Sequence, residues 1–208
     1  LANVKDYEAF EKAMDYALNN TRALNLYSDP DSVELSKAIA DTYNVERNMV
    51  LATNGSDEIL NFAFMAFTDN SNPALFADIT YGFYPVFASL NGSRTEIIPL
   101  REDFTIAVDD YIDRKGTVFI ANPNAPTGIA LPVSEIERLV ASNPDRVVVI
   151  DEAYVDFGGE SAVGLVKKYD NILICQTFSK SRSFAGGRLG YGIGSEALIS
   201  DLNTVKYS

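Results

Sequence analysis

Four short segments carry side chains that could do chemistry, and each stands where a strand-like run gives out. Asn54-Gly55-Ser56-Asp57-Glu58 joins an apolar run to a helix-like one. Glycine lets a ligand approach the backbone, and a helix start offers free N–H groups and a positive dipole end, which suits a phosphate. Taken alone, the segment reads more simply as a helix cap. Asn122-Pro123-Asn124-Ala125-Pro126-Thr127-Gly128 is stiffened by two prolines, and by composition it is only a turn. Asp151-Glu152-Ala153-Tyr154 ends the most apolar run in the chain, where a charge needs a partner. A helix cap or a structural ion pair explains it equally well. The stretch from Thr177 to Arg188 sets Lys180 among small hydroxyls and glycines, with Ser179 before it. A desolvated lysine suits Schiff-base chemistry and an arginine suits a phosphate, although a lysine at a strand end is ordinarily a solvated charge. None of the four decides a function alone.

The elements that must position these segments follow from periodicity. Strands are expected at Met49–Thr53, Ala74–Asp78, Thr95–Leu100, Thr117–Asn122, Arg146–Asp151, Asn171–Thr177 and Leu189–Ile193. Runs such as Val147-Val148-Val149-Ile150 have the near-continuous apolar character of strands buried on both faces of a parallel sheet. Helices are expected at Asp6–Asn20, Ser32–Tyr43, Ser56–Phe67, Phe83–Leu90, Val133–Ala141 and Ser195–Lys206. Strand–helix alternation predicts an α/β fold with right-handed crossovers, in which ligands sit at the carboxyl ends of the strands. Residues 1–27 read as an N-terminal helix and arm, and residues 28–208 as the main domain. Neither end has a lead-in or closing segment, so the main domain is expected to be incomplete at its C-terminal end.

Composition narrows the chemistry. The chain of 208 residues is 47% apolar and carries a net charge of −12. Such a surface repels phosphate backbones and anionic lipid, so nucleic acid and membranes are not expected as partners. The sequence has no histidine, which removes Ser-His-Asp and Cys-His catalysis and the commonest zinc ligand, and no metal site is expected. The single Cys175 lies in an apolar run and reads as a small buried hydrophobe. One thiol, with no signal peptide and no long uncharged apolar stretch, predicts a cytoplasmic protein.

In this order the motifs resemble the fold type I pyridoxal-phosphate (PLP) enzymes, specifically the class I and II aminotransferases. The resemblance spans about residues 25–208, and Ser179-Lys180-Ser181-Arg182 followed by Ala185-Gly186-Gly187-Arg188-Leu189-Gly190 is its most specific part. It implies a three-layer α/β/α domain with a mostly parallel, seven-stranded sheet, the smaller C-terminal domain lying outside this chain. It implies that Lys180 holds pyridoxal 5'-phosphate covalently and moves the substrate proton, that Asp151 pairs with the ring nitrogen, and that Tyr154 meets the ring oxygen. An adjacent carboxylate keeps the ring protonated, which makes it a better electron sink. Tyr81 would stack on the ring. Gly55, Ser56, Asp57, Ser179 and Arg188 would surround the phosphate, and Tyr27 would reach that phosphate from the other subunit of a homodimer.

One departure touches the site. The family places asparagine directly before Pro-Thr-Gly, where this chain has Ala125, and the neighbouring Asn124 is expected to substitute. Within the family the chain most resembles the branch that moves an amino group between L-histidinol phosphate and 2-oxoglutarate, a small-molecule amino donor and a 2-oxo acid. Aromatic aminotransferases and threonine-phosphate decarboxylases share these cofactor motifs. A non-catalytic phosphate-binding α/β module is the alternative of another class; it accounts for Asn54–Glu58 but gives Asp151, Tyr154, Lys180 and Arg188 no joint role. Neither a Walker motif nor Gly-x-Gly-x-x-Gly is present.

Overall fold

The apolar runs pair into one seven-stranded sheet. A computed structural model describes residues 7–20 and 25–206. The strands are β1 (Val50–Asn54), β2 (Ala74–Ala77), β3 (Thr95–Ile98), β4 (Thr117–Ala121), β5 (Val148–Asp151), β6 (Ile172–Thr177) and β7 (Leu189–Ile193). Their order is β1-β7-β6-β5-β4-β2-β3. β7 runs antiparallel to both its neighbours and every other pairing is parallel. Asn54 pairs with Leu189 and Thr177 with Gly190, so β7 starts on the edge where β1 and β6 end.

The helices among the described residues are α1 (Tyr7–Asn20), α2 (Val33–Tyr43), α3 (Ser56–Phe67), α4 (Tyr84–Leu90), α5 (Asp109–Ile112), α6 (Val133–Ala141) and α7 (Glu196–Val205), of which α2 to α7 cover the sheet. Side chains alternate across a strand, so each strand feeds two cores. Val148, Ile150, Ile172 and Ile174 face α2, α5 and α6 on one side. Val149, Leu173 and Cys175 face α3, α4 and α7 on the other. Apolar runs are needed because both faces are covered. This is the expected three-layer architecture. The side chains of residues 11–19 in α1 are exposed. No described helix is long and apolar enough to cross a membrane.

Where strand ends differ from expectation, side chains replace ladder bonds. Asp78 leaves β2 because its carboxylate accepts from the N–H groups of Ile79 and Leu100. Asn122 leaves β4 because its amide exchanges hydrogen bonds with the backbone of Leu131. Arg146 precedes β5 and turns its guanidinium into the core. The one-turn α5 was not expected from periodicity. Asp6 of the expected first helix lies outside the described residues, as do Tyr207 and Ser208.

Candidate functional site

At the carboxyl edge of the sheet a solvent-open cavity is lined by Ser56, Asp57, Tyr81, Ala125, Asp151, Tyr154, Ser179, Lys180 and Arg188, with Ala121, Ala153 and Thr177. Three of the four chemistry-bearing segments meet there through several side chains. The fourth, after β4, contributes Ala125.

The floor is Asp151, the last residue of β5 and only 5% exposed. One carboxylate oxygen accepts from the Tyr84 hydroxyl at 3.2 Å and the other from the Ala153 N–H at 3.1 Å. Burial pushes this carboxyl up to about 6, with a smaller upward push from Asp57, against the pull of those two donors and of Lys180. No cation stands within ion-pair distance of it among the described residues. The Lys180 ammonium instead lies over the Tyr154 ring, 5.2 Å from its centroid. Lys180 and Tyr154 are both partly open to solvent at the cavity mouth.

The other end is built around the start of α3. Gly55 precedes α3 at φ 78, with no side chain capping the helix, so the helix start that lines the cavity with Ser56 and Asp57 has no side-chain acceptor on its first N–H groups. A Cβ at Gly55 would come within 2.9 Å of Arg188 Nη2, so the glycine makes room for the guanidinium. Gly190 is needed for another reason: a Cβ there would meet the Ser56 nitrogen at 2.3 Å, so only glycine lets β7 pass this helix start. Arg188 donates to the Ala185 carbonyl and has no carboxylate partner among the described residues. An acid without a cation, a guanidinium without an anion and an amine lining the same cavity make a pattern that a ring carrying both a phosphate and a protonated nitrogen would satisfy.

Tyr81 forms a wall. Its hydroxyl donates to Asp57 at 2.9 Å, and burial together with that acceptor raises its phenol far above the usual range. Asn124 is a correction. It is buried, its amide oxygen accepts from Thr80 and its amide nitrogen donates to the Ile79 carbonyl and to Thr127, so both polar ends are spent away from the cavity. Ala125 lines the cavity instead, and the expected amide contact is absent from this wall. Tyr27 is fully exposed, at 105%.

Sequence reasoning missed Tyr84 and the network behind the site. Tyr84 stands three residues after Tyr81, and that helical spacing was the available signal. Behind the sheet the buried Glu152 accepts from Ser161, the Ala162 N–H and Gln176. Gln176 in turn accepts from Arg182, at 2.9 Å, and from the phenols of Tyr43 and Tyr191. Arg182 also donates to Tyr191 at 2.7 Å and lies over the Phe178 ring. Ser181 donates to Asp156, tying the turn that carries Lys180 to the segment that carries Tyr154. No cluster of three or more metal-ligating side chains occurs among the described residues.

A family model described as aminotransferase class I and II matches residues 2–208. Histidinol-phosphate aminotransferase of Acinetobacter baumannii is 54% identical over 185 residues, covering 89% of this chain and 51% of the relative. The crystal structure of histidinol-phosphate aminotransferase from Clostridium acetobutylicum aligns with a TM-score of 0.85 at 24% identity, over 95% of this chain and 60% of that one. That of L-threonine-O-3-phosphate decarboxylase from Porphyromonas gingivalis aligns with a TM-score of 0.83 at 25% identity, over 98% and 63%. The chain spans about half the length of the curated relatives it matches.

Proposed function

The chain belongs to the class I and II aminotransferase family, and from that premise we propose that it holds pyridoxal 5'-phosphate and serves a transaminase that moves an amino group from L-histidinol phosphate to 2-oxoglutarate. The observation that carries this reading is the pairing of unsatisfied opposite charges in one cavity, Asp151 on the floor and Arg188 at the helix start, with Lys180 lining the same cavity.

Each residue then has a role that its surroundings suit. Arg188, Ser56, Ser179 and the first N–H groups of α3 bind the phosphate, combining a guanidinium with hydroxyls and a helix terminus. Asp151 holds the proton on the ring nitrogen: it is destabilised by burial, and a cationic partner returns it to its charged form. Tyr81 covers one face of the ring, its hydroxyl fixed by Asp57. Tyr154 offers a hydroxyl to the ring oxygen without help from the position of Ala125. Lys180 is the covalent anchor and, once released from it, the base that takes the proton from the substrate α-carbon and returns it elsewhere. When bound, the cofactor supplies the electron sink for that carbon.

The choice of histidinol phosphate rests on the 54% identity over most of this chain. A threonine-phosphate decarboxylase is the second reading, favoured by a structural likeness of nearly equal score. A homodimer belongs to the proposal, with the exposed Tyr27 reaching the partner's phosphate site, as does a cytoplasmic location, in keeping with the one buried thiol, Cys175. The test is to purify the full-length protein with PLP, reduce it with borohydride and map the modified peptide. Label at Lys180, with turnover of histidinol phosphate exceeding that of phenylalanine and threonine phosphate, is the expected result. A colourless protein that takes up no PLP would sink the reading, and carbon dioxide release from threonine phosphate would replace it with the second one.

A further inference from the structure

Two tyrosines three residues apart divide the two acids of the cavity between them. Tyr81 donates to Asp57 at 2.9 Å and Tyr84 to Asp151 at 3.2 Å, their rings meeting edge to face at 5.6 Å. Tyr81 lines the cavity and Tyr84 does not. Tyr84 is 0% exposed, packed between Phe64, Phe76 and Phe119, and Asp151 is the one hydrogen-bond partner found for its hydroxyl among the described residues. A phenol this deep in an aromatic cluster costs free energy unless its hydroxyl is used. A phenylalanine would fill the same ring space, so packing alone does not call for the oxygen.

We propose that Tyr84 is a positioning residue, which clamps the Asp151 carboxylate from beneath so that its remaining lone pairs face the cavity. The inference rests on the PLP reading above. The Ala153 N–H holds one carboxylate oxygen and Tyr84 the other, so neither side-chain rotation nor protonation is free. The titratable groups facing Asp151 are Asp57 from α3, Tyr84 from α4, Tyr81 before it, Cys175 on β6, its neighbour Glu152, and Lys180. Of these, Tyr84 and Lys180 favour the ionised acid, whereas Asp57 disfavours it. Removing the hydroxyl leaves the acid harder to ionise and one oxygen without its donor.

The experiment is a PLP titration by absorbance across pH on the full-length protein, comparing wild type with Tyr84→Phe, Asp151→Asn and the double variant. PLP binding that needs the ionised acid falls away as pH drops. Tyr84→Phe is expected to move that acid limb upward by about one pH unit and to weaken binding several-fold on the plateau. In the Asp151→Asn background the same change should do far less, because the partner it positions has changed. An unmoved limb, or an equal loss in both backgrounds, overturns the proposal and leaves Tyr84 a packing residue. A general packing defect would persist in both backgrounds, so poor folding of the single variant does not mask the answer. Wild-type protein that takes up no PLP sinks the functional reading itself, which is a different outcome from an unmoved limb.

Discussion

Strand β5 has a buried charge at each end, and the two are treated in opposite ways. Before its start, Arg146 is 4% exposed and donates five hydrogen bonds: one Nη to the carbonyls of Tyr111, Ile112 and Arg114, the other to Leu139 and the Ser142 hydroxyl. Only its Nε lacks an acceptor. It sits where α5 and α6 end, and a cation at helix C-termini takes up carbonyls the helices leave unpaired. At the far end Asp151 has two donors and no cation. The amino edge uses a buried charge to close structure, and the carboxyl edge leaves one without a cation at the floor of a cavity. Buried charge alone therefore does not mark a site; buried charge with unspent hydrogen-bonding capacity facing a cavity does.

The largest expected effect breaks the carboxyl end. Lys180→Ala should lower transamination by at least about a thousandfold and abolish borohydride labelling, since both anchor and base are lost. Asp151→Asn should cost on the order of a hundredfold or more in kcat with the protein still folded. Steady-state kinetics with a parallel melting curve checks both; a variant that loses activity only because it unfolds would erase the distinction between the two ends.

Breaking the amino end should do the reverse. Arg146→Met removes the guanidinium from four carbonyls and a hydroxyl inside the protein, of which the Tyr111 carbonyl keeps backbone N–H donors and the Leu139 carbonyl keeps the Ser142 hydroxyl. It is expected to cost about 3 kcal/mol or more in urea unfolding. PLP affinity of the surviving folded fraction should stay close to wild type, because no cavity residue touches Arg146. A stability loss below about 1 kcal/mol would mean that water replaces the guanidinium.

How far the sequence could be read follows the same division. The strands were legible because both faces of the sheet are covered, which leaves apolar runs in place of alternation. The ends of β2, β4 and β5 were less so. Asp78, Asn122 and Arg146 extend apolar runs by composition, yet each spends its side chain on backbone groups that only the folded chain brings near. Lys180, Asp151, Tyr154 and Arg188 were legible as an ordered set resembling a family, not as separate motifs. Asn124 was misread because adjacency in sequence does not carry over direction: successive loop residues point to different sides, and Thr80 and Ile79 claim its amide. The Glu152–Gln176–Arg182 network was not legible, and for Tyr84 the spacing after Tyr81 could place the ring but not the use of its oxygen. Their partners lie across strands, and nothing local marks a tyrosine in an aromatic cluster as one whose oxygen matters.

A smaller effect turns Asp151 into a test of stability. Its folded-state acid is raised to about 6 from an ordinary 3.8. Between those values the folded protein binds more protons than the unfolded chain, so stability without cofactor falls as pH rises from about 4 to about 6 and stays lower above. Asp151→Asn removes that dependence. At pH 8, cofactor-free protein carrying it should be more stable than wild type by up to about 3 kcal/mol, while at pH 4 the two should agree. Added PLP should narrow the gap, because it stabilises wild type more than the variant that binds it less tightly. Equal melting curves at pH 8 would mean that the acid is better solvated than its burial indicates.

The smallest effect tests the rule from the amino half. Tyr111 is 1% exposed, its carbonyl accepts from Arg146, and its hydroxyl has no partner among the described residues, nor does it line the cavity. Its unspent hydrogen-bonding capacity faces packed side chains and not an opening. If the opening is what separates function from structural cost, Tyr111→Phe should be neutral or stabilise by up to about 1 kcal/mol, since an unsatisfied hydroxyl is removed and the ring is kept. PLP binding and its pH dependence should not move, unlike those of Tyr84→Phe, where the same atom is deleted from the same residue type. Chemical unfolding of the two variants side by side makes the contrast. A destabilised Tyr111→Phe would reveal a bound water or another partner at that hydroxyl, and would show that lack of a visible partner is too weak a criterion at either end of the sheet.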